Sequence, residues 1–373
     1  MRLQISILIA NLFGWFSRKV LRRAGETIPG KVLLKLYPKA LSQLAKDRKI
    51  LLVSGTNGKT STTKALTKAI SALGNTVSNS TGSNLDRGAV TTLMKSSEYV
   101  VLEVDELHLT KVALETKPKV IALLNLSRDQ LHRMHEVKRV ADRWAQIAKS
   151  LPDTTFVGDI DDPFVALALA SAEKKITVSF GGRIHKDGAV CPSCGKYLKW
   201  SRNNYKCSCG LTNQGAEKEL EDGNAAYRNA HLANIAAAVV GAKPIAINES
   251  ELERSVIKNY DGVSAKLRLT KNPASWTEAL AGVSSDEVIL ILNARQVDGI
   301  DTSWLWDISF ESLRDKTILV TGERALDLAY RLHVQGIKSE VVETFEKAIK
   351  KFPKSSKVDV LAAYTAYFGL VNS

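Results

Sequence analysis

The stretch Ile50-Leu-Leu-Val-Ser-Gly-Thr-Asn-Gly-Lys-Thr-Ser-Thr62 decides how this chain is read. An apolar run ends in a short glycine-containing turn, Lys59 and Thr60 follow, and residues 63–73 favour helix. That order predicts a strand, a phosphate loop and a helix. Backbone N–H groups around Gly55, Asn57 and Gly58 can converge on phosphate oxygens, where the helix N-terminus adds partial positive charge. Lys59 can neutralise β- and γ-phosphates, and the Thr60 hydroxyl can hold Mg²⁺. The expected cradle runs through Thr56, Asn57, Gly58, Lys59 and Thr60, with Ser61 beside it. The general P-loop pattern wants glycine where Val53 stands, so the loop is a Gly-Thr-Asn-Gly-Lys-Thr variant. A plain glycine-rich turn with a surface lysine is the competing reading, and the strand-to-helix context argues against it.

Outward from the loop, apolar β-branched runs recur at 50–54, 99–104, 120–124, 155–157 and 176–180, with helical patterns between them. The alternation predicts a mostly parallel sheet with crossover helices, an α/β fold. Residues 140–151 read as a helix with Trp144 and Ile147 on its core face, and the Ala-rich 225–241 as the helix that closes this domain. A second alternation starts near Glu251, with strands at 288–292, 317–321 and 358–362 and helices at 324–332 and 345–352. The expected organisation is an N-terminal segment 1–46, a nucleotide-binding domain 47–248 interrupted by an insertion at 186–213, and a smaller α/β domain 249–373.

The 373 residues exceed one typical domain, and a hydrophobic content of 45% suffices for real cores. A net charge of +13 favours anionic partners: nucleic acid, nucleotide polyphosphate or an acidic membrane leaflet. The aromatic-basic patterns of RNA-binding modules are absent, so no nucleic acid is assigned. Residues 5–16 are apolar and are followed by Arg18, Lys19, Arg22 and Arg23. A spanning helix needs about 20 apolar residues, so the segment is too short. It lacks a small-residue cleavage site, and its basic cluster follows the apolar run, both against a signal peptide. Two readings stand: a helix packed on the nucleotide-binding core, or an interfacial helix touching anionic lipid. The expected location is the cytoplasm, at the inner face of the membrane under the second reading.

All four cysteines fall in the insertion, as Cys191-Pro-Ser-Cys194 and Cys207-Ser-Cys209. A metal in a reducing compartment explains this better than two bridges packed so closely. Gly195 and Gly210 follow the pairs and permit the tight turns that aim amides at thiolate sulfur, while 197–200 and 204–205 read as a short hairpin. The expectation is a zinc ribbon, four thiolates closing a tetrahedral structural Zn²⁺ site. The second pair is one residue shorter than the usual spacing, which must distort its turn; His185 is an alternative fourth ligand.

Three segments carry a resemblance to the Mur ligase family, ATP-dependent enzymes that build the peptidoglycan stem peptide. They are the loop variant, Val100-Val-Leu-Glu-Val-Asp-Glu-Leu107, and Leu124-Asn-Leu-Ser-Arg-Asp-Gln-Leu131, where Gln130 replaces the family's usual His. Within the family, Arg128-Asp-Gln130 resembles the MurT subgroup, as do the four-cysteine insertion, Lys271-Asn-Pro-Ala274 and Asp301-Thr-Ser-Trp-Leu-Trp-Asp307. The resemblance covers nearly the whole chain. It implies ATP and Mg²⁺ as cofactors, with Thr60 and Glu103 as the Mg²⁺ ligands and Asp105 and Glu106 toward the substrate side. It implies that an Asn-x-x-Asn pair places the adenine; here Asn234 takes the second position, His231 replaces the first Asn, and Asn229 lies close by. Asp161-Asp-Pro163 matches a family turn that follows a strand. His132 and His135 depart from the subgroup pattern, and their spacing suits one helical face, but no further ligand accompanies them.

The subgroup further implies a GatD-like glutamine amidotransferase subunit as partner in a heterodimer. An Asp of the synthetase would then complete the partner's Cys-His glutaminase triad by orienting the His and stabilising its cation. Asp307 and Asp301 are the candidates, in a loop that follows the strand at 288–292, where parallel sheets put ligands. The implied reaction is amidation of the D-glutamate α-carboxyl of lipid II to D-isoglutamine through an acyl phosphate. The alternatives are a partner-independent amino-acid ligase of the same family and a nucleotide-binding scaffold that has lost ligase activity.

Overall fold

The computed structural model describes residues 2–19, 27–79, 83–128, 137–246, 248, 255–296 and 298–372. They form two compact units. The first holds the described residues up to Ser127 and from Val137 to Asn248; the second holds Arg128 and those from Ser255 onward.

The first unit opens with α1 (Arg2–Lys19), α2 (Ile28–Leu36) and α3 (Ala40–Ala45). An alternating run follows: β1 (Lys49–Ser54), α4 (Lys59–Ile70), β2 (Thr76–Ser78), α5 (Asp86–Leu93), β3 (Tyr99–Glu103), α6 (Leu109–Thr116) and β4 (Val120–Leu123). It continues with α7 (Val137–Ser150), β5 (Thr155–Asp159), α8 (Pro163–Ala170) and β6 (Lys174–Ser179). The insertion supplies the hairpin β7 (Lys199–Ser201) and β8 (Asn204–Lys206), and β9 (Lys218–Glu219) and α9 (Ala225–Ala238) finish the unit.

Seven strands order as β2-β3-β1-β4-β5-β6-β9, every neighbouring pair parallel. The β1 run is buried on both faces after Lys49, as crossover helices on both sides of a parallel sheet require. On one face Leu51, Val53, Val101, Ala122 and Val157 pack against Ala65, Leu66 and Ile70 of α4 and Ala230, Ala233 and Ala237 of α9. The alanines of α9 explain why a weakly patterned segment is helical: small side chains let it lie close over the sheet and α4. β1 lies between β3 and β4, so the carboxyl ends of these three strands adjoin. Ligands of α/β sheets bind at such a crevice.

Residues of the N-terminal segment are part of this unit. α2 crosses α5 at Gly30, where an added Cβ would lie 1.8 Å from the Arg87 carbonyl oxygen. The Gly30 N–H donates to Thr91 Oγ1 at 2.9 Å.

The second unit contains β10 (Ser255–Tyr260), β11 (Val263–Leu269), α10 (Pro273–Ala281) and β12 (Glu287–Ile291), then 3-10 turns at Ser303–Asp307 and Glu311–Leu313. β13 (Thr317–Thr321), α11 (Ala325–Val334), β14 (Glu340–Val341), α12 (Phe345–Ile349), β15 (Lys357–Ala362) and α13 (Tyr364–Asn372) complete it. The sheet order is β10-β11-β15-β12-β13-β14, parallel except for the β10–β11 hairpin. Asp261 and Gly262 turn that hairpin with φ of 52° and 97°, and the Gly262 N–H donates to Asn259 Oδ1. Asn272 of the Lys-Asn-Pro-Ala segment caps α10 in a reciprocal box with Ser275.

Gly30→Ala should destabilise the first unit by about 1–3 kcal/mol, since overpacking against backbone outweighs alanine's better helix propensity. Urea unfolding checks this; a variant as stable as the parent would mean α2 and α5 can separate at little cost.

Candidate active site

The strand ends bring the loop residues together. Gly58 precedes α4 with φ 83° and has no side chain with which to cap the helix. The Thr60 Oγ1 donates to Glu103 Oε2 at 2.8 Å. Glu103 ends β3 and is fixed by Asn79, whose Oδ1 accepts the Glu103 N–H at 2.7 Å while its Nδ2 donates to the Glu103 and Ser83 carbonyls. Two hard oxygen donors, one in the first turn of α4 and one at the end of β3, fit Mg²⁺, which takes few protein ligands and keeps several waters.

Lys59 is buried and forms a 2.8 Å ion pair with the equally buried Glu106. Its ammonium also donates to the Gly55 and Thr56 carbonyls. Burial by itself would lower its pKa, but Glu106, with Glu103 and Asp105 behind it, holds it above the ordinary lysine range. Glu106, expected on the substrate side, is thus the lysine's partner, and the Asp105 carboxylate accepts the Leu107 N–H in its own turn.

The loop after β4 grips the phosphate loop. Asn125 Oδ1 accepts the Asn57 N–H, and its Nδ2 donates to the Asn57 carbonyl, each at 3.0 Å. The Thr56 N–H donates to the Asn125 carbonyl, and Thr56 Oγ1 accepts the Ser127 N–H. The Asn57 N–H, expected to face phosphate, is therefore engaged within the protein, and the cradle narrows toward the start of α4. Asn79 carried no motif signal of its own, and Asn125, in the third family-like segment, was assigned no part in the loop.

Asn234, the expected adenine contact, bonds through its side-chain amide to the Ile245 backbone. Its Nδ2 donates to the Ile245 carbonyl at 2.9 Å and its Oδ1 accepts the Ile245 N–H at 3.1 Å, pinning the chain that leaves α9. Asn229 instead faces the loop: its amide would be 2.6 Å from a Cβ added to Gly58. Asp129, Gln130, His132 and His135 lie outside the described residues.

The cysteine hairpin docks on the same edge. All four Sγ atoms lie within 4.8 Å of one another, with Cys191–Cys209 at 3.7 Å and Cys194–Cys207 at 3.4 Å. Those spacings exceed a disulfide bond of about 2.05 Å and approach the roughly 3.8 Å edge of a tetrahedron of zinc–sulfur bonds. The shorter second pair is accommodated by a tighter turn. Gly195 N–H closes on the Cys191 carbonyl four residues back, whereas Gly210 N–H closes on Cys207 three back, with positive φ at both glycines. His185 is not a fourth ligand: its Nε2 donates to the Leu126 carbonyl at 2.9 Å, with Asp162 at 3.3 Å. Asp162 also caps α8 and accepts the Leu126 N–H. Asp161 accepts from Ser179, Phe180, Gly182 and Asn213.

In the second unit, Asp298 is buried, accepting the Thr365 N–H and hydroxyl and the Arg295 N–H. Asp301 is exposed and accepts the Ser303 N–H. Asp307 ends the 3-10 turn 3.2 Å from Arg128. Trp304 is buried, whereas Trp306 is half exposed beneath the Arg331 guanidinium.

Residues 53–215 match the Mur ligase middle domain, and residues 269–367 match the MurT ligase C-terminal domain. The chain is 30% identical to a Streptococcus pneumoniae protein named lipid II isoglutaminyl synthase (glutamine-hydrolyzing) subunit MurT, over 95% of this chain and 94% of that one. This chain belongs to the Mur ligase family. The Staphylococcus aureus protein of the same name is 26% identical over 92% of this chain and 90% of its own. Mur ligase folds also align in space. A pseudomurein peptide ligase type C from Methanothermus fervidus gives a TM-score of 0.65 at 15% identity, covering 86% of this chain and 77% of that one. MurF ligase from Thermotoga maritima gives 0.62 at 16% identity, covering 91% and 81%.

Burial pushes the Asp159 carboxyl up to about 7, against the pull of Arg183 and with Asp161 and Asp162 adding to the push. The folded state then keeps a proton that the unfolded chain releases near its ordinary value, so this group's contribution to stability falls as pH rises from about 4 to about 7. Asp159→Asn removes that loss. Its stability relative to the parent should improve across the same interval, on the order of a few kcal/mol, and level off above it. Urea unfolding at several pH values checks this; a difference that does not change with pH would contradict it.

Proposed function

We propose that the chain is the ATP-dependent synthetase subunit of a lipid II isoglutaminyl synthase, working in the cytoplasm at the inner face of the membrane. The observation that carries this reading is the Thr60–Glu103 contact beside buried Lys59, at the carboxyl ends of β1 and β3, in a chain that matches a subunit of that name nearly end to end. A carboxylate is a poor electrophile because its oxygen leaves badly. Transfer of the γ-phosphoryl group of ATP to the D-glutamate α-carboxylate gives an acyl phosphate and ADP. Ammonia then attacks the carbonyl carbon, the bond to phosphate breaks, and the amide and inorganic phosphate are released. Such a synthetase needs charge stabilisation and positioning rather than its own nucleophile.

The proposed roles follow the geometry. Thr60 and Glu103 would hold Mg²⁺, which offsets phosphate charge when bound. Lys59 exchanges Glu106 for phosphate oxygens. Gly58 and the backbone from Lys59 to Ser61 face the phosphates, Thr56 and Asn57 shape the loop through Asn125, and Asn229 replaces Asn234 as the side chain nearest the nucleotide. A GatD-like glutaminase supplies ammonia, with Asp307 or Asp301 completing its triad. The four thiols hold one structural Zn²⁺.

Lys59→Ala should lower ATP-dependent amidation by about 10²–10³-fold. Because it strands a buried carboxylate, it should also lose stability. The double variant Lys59→Ala/Glu106→Gln separates the two effects: it should fold and remain inactive. Asp307→Asn or Asp301→Asn should abolish use of glutamine while sparing much of the activity with free ammonia. Reconstitution with lipid II, ATP and a candidate glutaminase, assayed with both nitrogen sources, tests the scheme. A folded double variant with normal turnover sinks the synthetase assignment. Equal loss with both nitrogen sources would move the acid loop to the synthetase site, and ATP-dependent joining of an amino acid to a carboxylate without any glutaminase would favour a partner-independent ligase.

Metal analysis of protein purified without chelator should find one zinc per chain. Removing it should lower the melting temperature while the protein that stays folded keeps its kcat. Free thiols and unchanged melting in metal-free protein would refute the zinc site.

A further inference from the structure

α1 is built inside out for a water-facing helix. The side it turns to α2 is small: Ser6, Ala10, Gly14 and Ser17 are buried, Ala10 completely. Its bulky apolar residues point the other way. Ile5, Leu8, Leu12, Trp15 and Phe16 fall on one continuous face at helical spacing, with Leu8 74% and Leu12 63% exposed. A soluble helix buries the large residues and exposes the small or polar ones. Here the small stripe lets α1 sit close on α2, and six large side chains, Phe13 beside these five, are held outward.

The charge on α1 itself is of one sign. Arg2 and Lys19 bound the helix, and Lys31, Lys35 and Lys39 are exposed on and after α2. The sequence has no acidic residue before Glu26. Trp15 and Phe16 lie beside that end, where aromatic rings favour the boundary between headgroups and acyl chains. The 18-residue helix is about 27 Å long, and no helix among the described residues is long and apolar enough to cross a membrane.

We infer that the outward face of α1 is a docking surface for an anionic lipid bilayer, in which the helix lies along the interface with Ile5, Leu8, Leu12, Trp15 and Phe16 in the acyl boundary and the flanking Lys and Arg on the headgroups. Charge selects this occupant. A second copy of the chain would bring two cationic rims together, whereas anionic headgroups neutralise them. The inference stands on the helix alone and does not depend on the proposed reaction.

Flotation of the full chain with vesicles tests it. The protein should float with phosphatidylcholine vesicles that contain phosphatidylglycerol, less with phosphatidylcholine alone, and less as salt is raised. Leu8→Ser/Leu12→Ser/Phe16→Ser should reduce partitioning about tenfold or more without lowering the melting temperature, since all three side chains face outward. Brominated acyl chains should quench part of the tryptophan emission of the parent but not that part in Trp15→Phe, a comparison that needs no disruptive variant. Failure to float with either vesicle, a triple variant that floats like the parent, or quenching unchanged in Trp15→Phe would each overturn the inference. A parent that is dimeric and does not bind vesicles, with a monomeric triple variant, would assign the face to a second copy instead.

Discussion

The side-chain amide of Asn125 binds both the N–H and the carbonyl of Asn57, and the site depends on that pair of hydrogen bonds. A phosphate loop must hold an unfavourable backbone shape with few side chains of its own. This one lacks the usual first glycine, and its form is imposed from the neighbouring strand. Gly55 sits at φ 145°, where a Cβ would be 2.9 Å from that of Leu124, so the loop and the end of β4 can close only over glycine. The grip then extends outward. Leu126 is held at its N–H by Asp162 and at its carbonyl by His185, and Asp162 caps α8 with its other oxygen. Asp161, one residue earlier, faces the insertion through Asn213, whose side chain also accepts the Tyr205 N–H. Two adjacent carboxylates thus join the phosphate loop, α8 and the cysteine hairpin in one buried hydrogen-bonded body. The Asp-Asp-Pro turn is structural for that reason.

Within this frame the charges are arranged by exchange rather than by vacancy. A buried ammonium without a counterion would be costly, and Glu106 removes that cost. If Lys59 meets phosphate as proposed, the phosphate must offer it at least what Glu106 does, in surroundings where ion pairs are strong. Glu103, three residues before, is held by Asn79 with its carboxylate on Thr60 rather than on the lysine. The strand end thereby separates two acids with different work, one beside the hydroxyl and one beside the ammonium.

Much of this was legible in the chain because it is local. The β1–loop–α4 unit, the parallel strands and the paired cysteines are spelled by contiguous residues or short spacings. The Asp261-Gly262 hairpin was equally local, and an Asp-Gly pair between extended runs is a strong turn signal, yet it fell outside the α/β alternation that organised the reading. Asn125 was legible as a motif position, but what it and Asn79 grip was not. Asn125 acts on Asn57 from 68 positions away and Asn79 on Glu103 from 24, separations that leave no periodic trace. Asn234, a position matched to a motif, carries a side chain that the fold bonds to Ile245, while Asn229, five residues earlier on α9, faces Gly58.

The acid loop of the second unit obeys the same logic of saturation. Asp298 has both carboxylate oxygens committed to Thr365 and the Arg295 N–H, and it is buried, so it anchors the loop to the start of α13. With the loop anchored there, Leu305 and Trp304 enter the core and Trp306 is turned outward under Arg331, whose guanidinium also donates to the Leu305 and Ile308 carbonyls. The backbone around Asp307 is thereby fixed from behind. Asp301 sits at the entry to the 3-10 turn and Asp307 at its end, the first capping a backbone N–H and the second paired with a cation. A group that must orient an imidazolium belongs on rigid backbone beside a cation it can trade. Should one of the two acids complete a partner's triad, as proposed, that criterion favours Asp307: its turn is packed and pinned on its inner side, and Arg128 pairs with it.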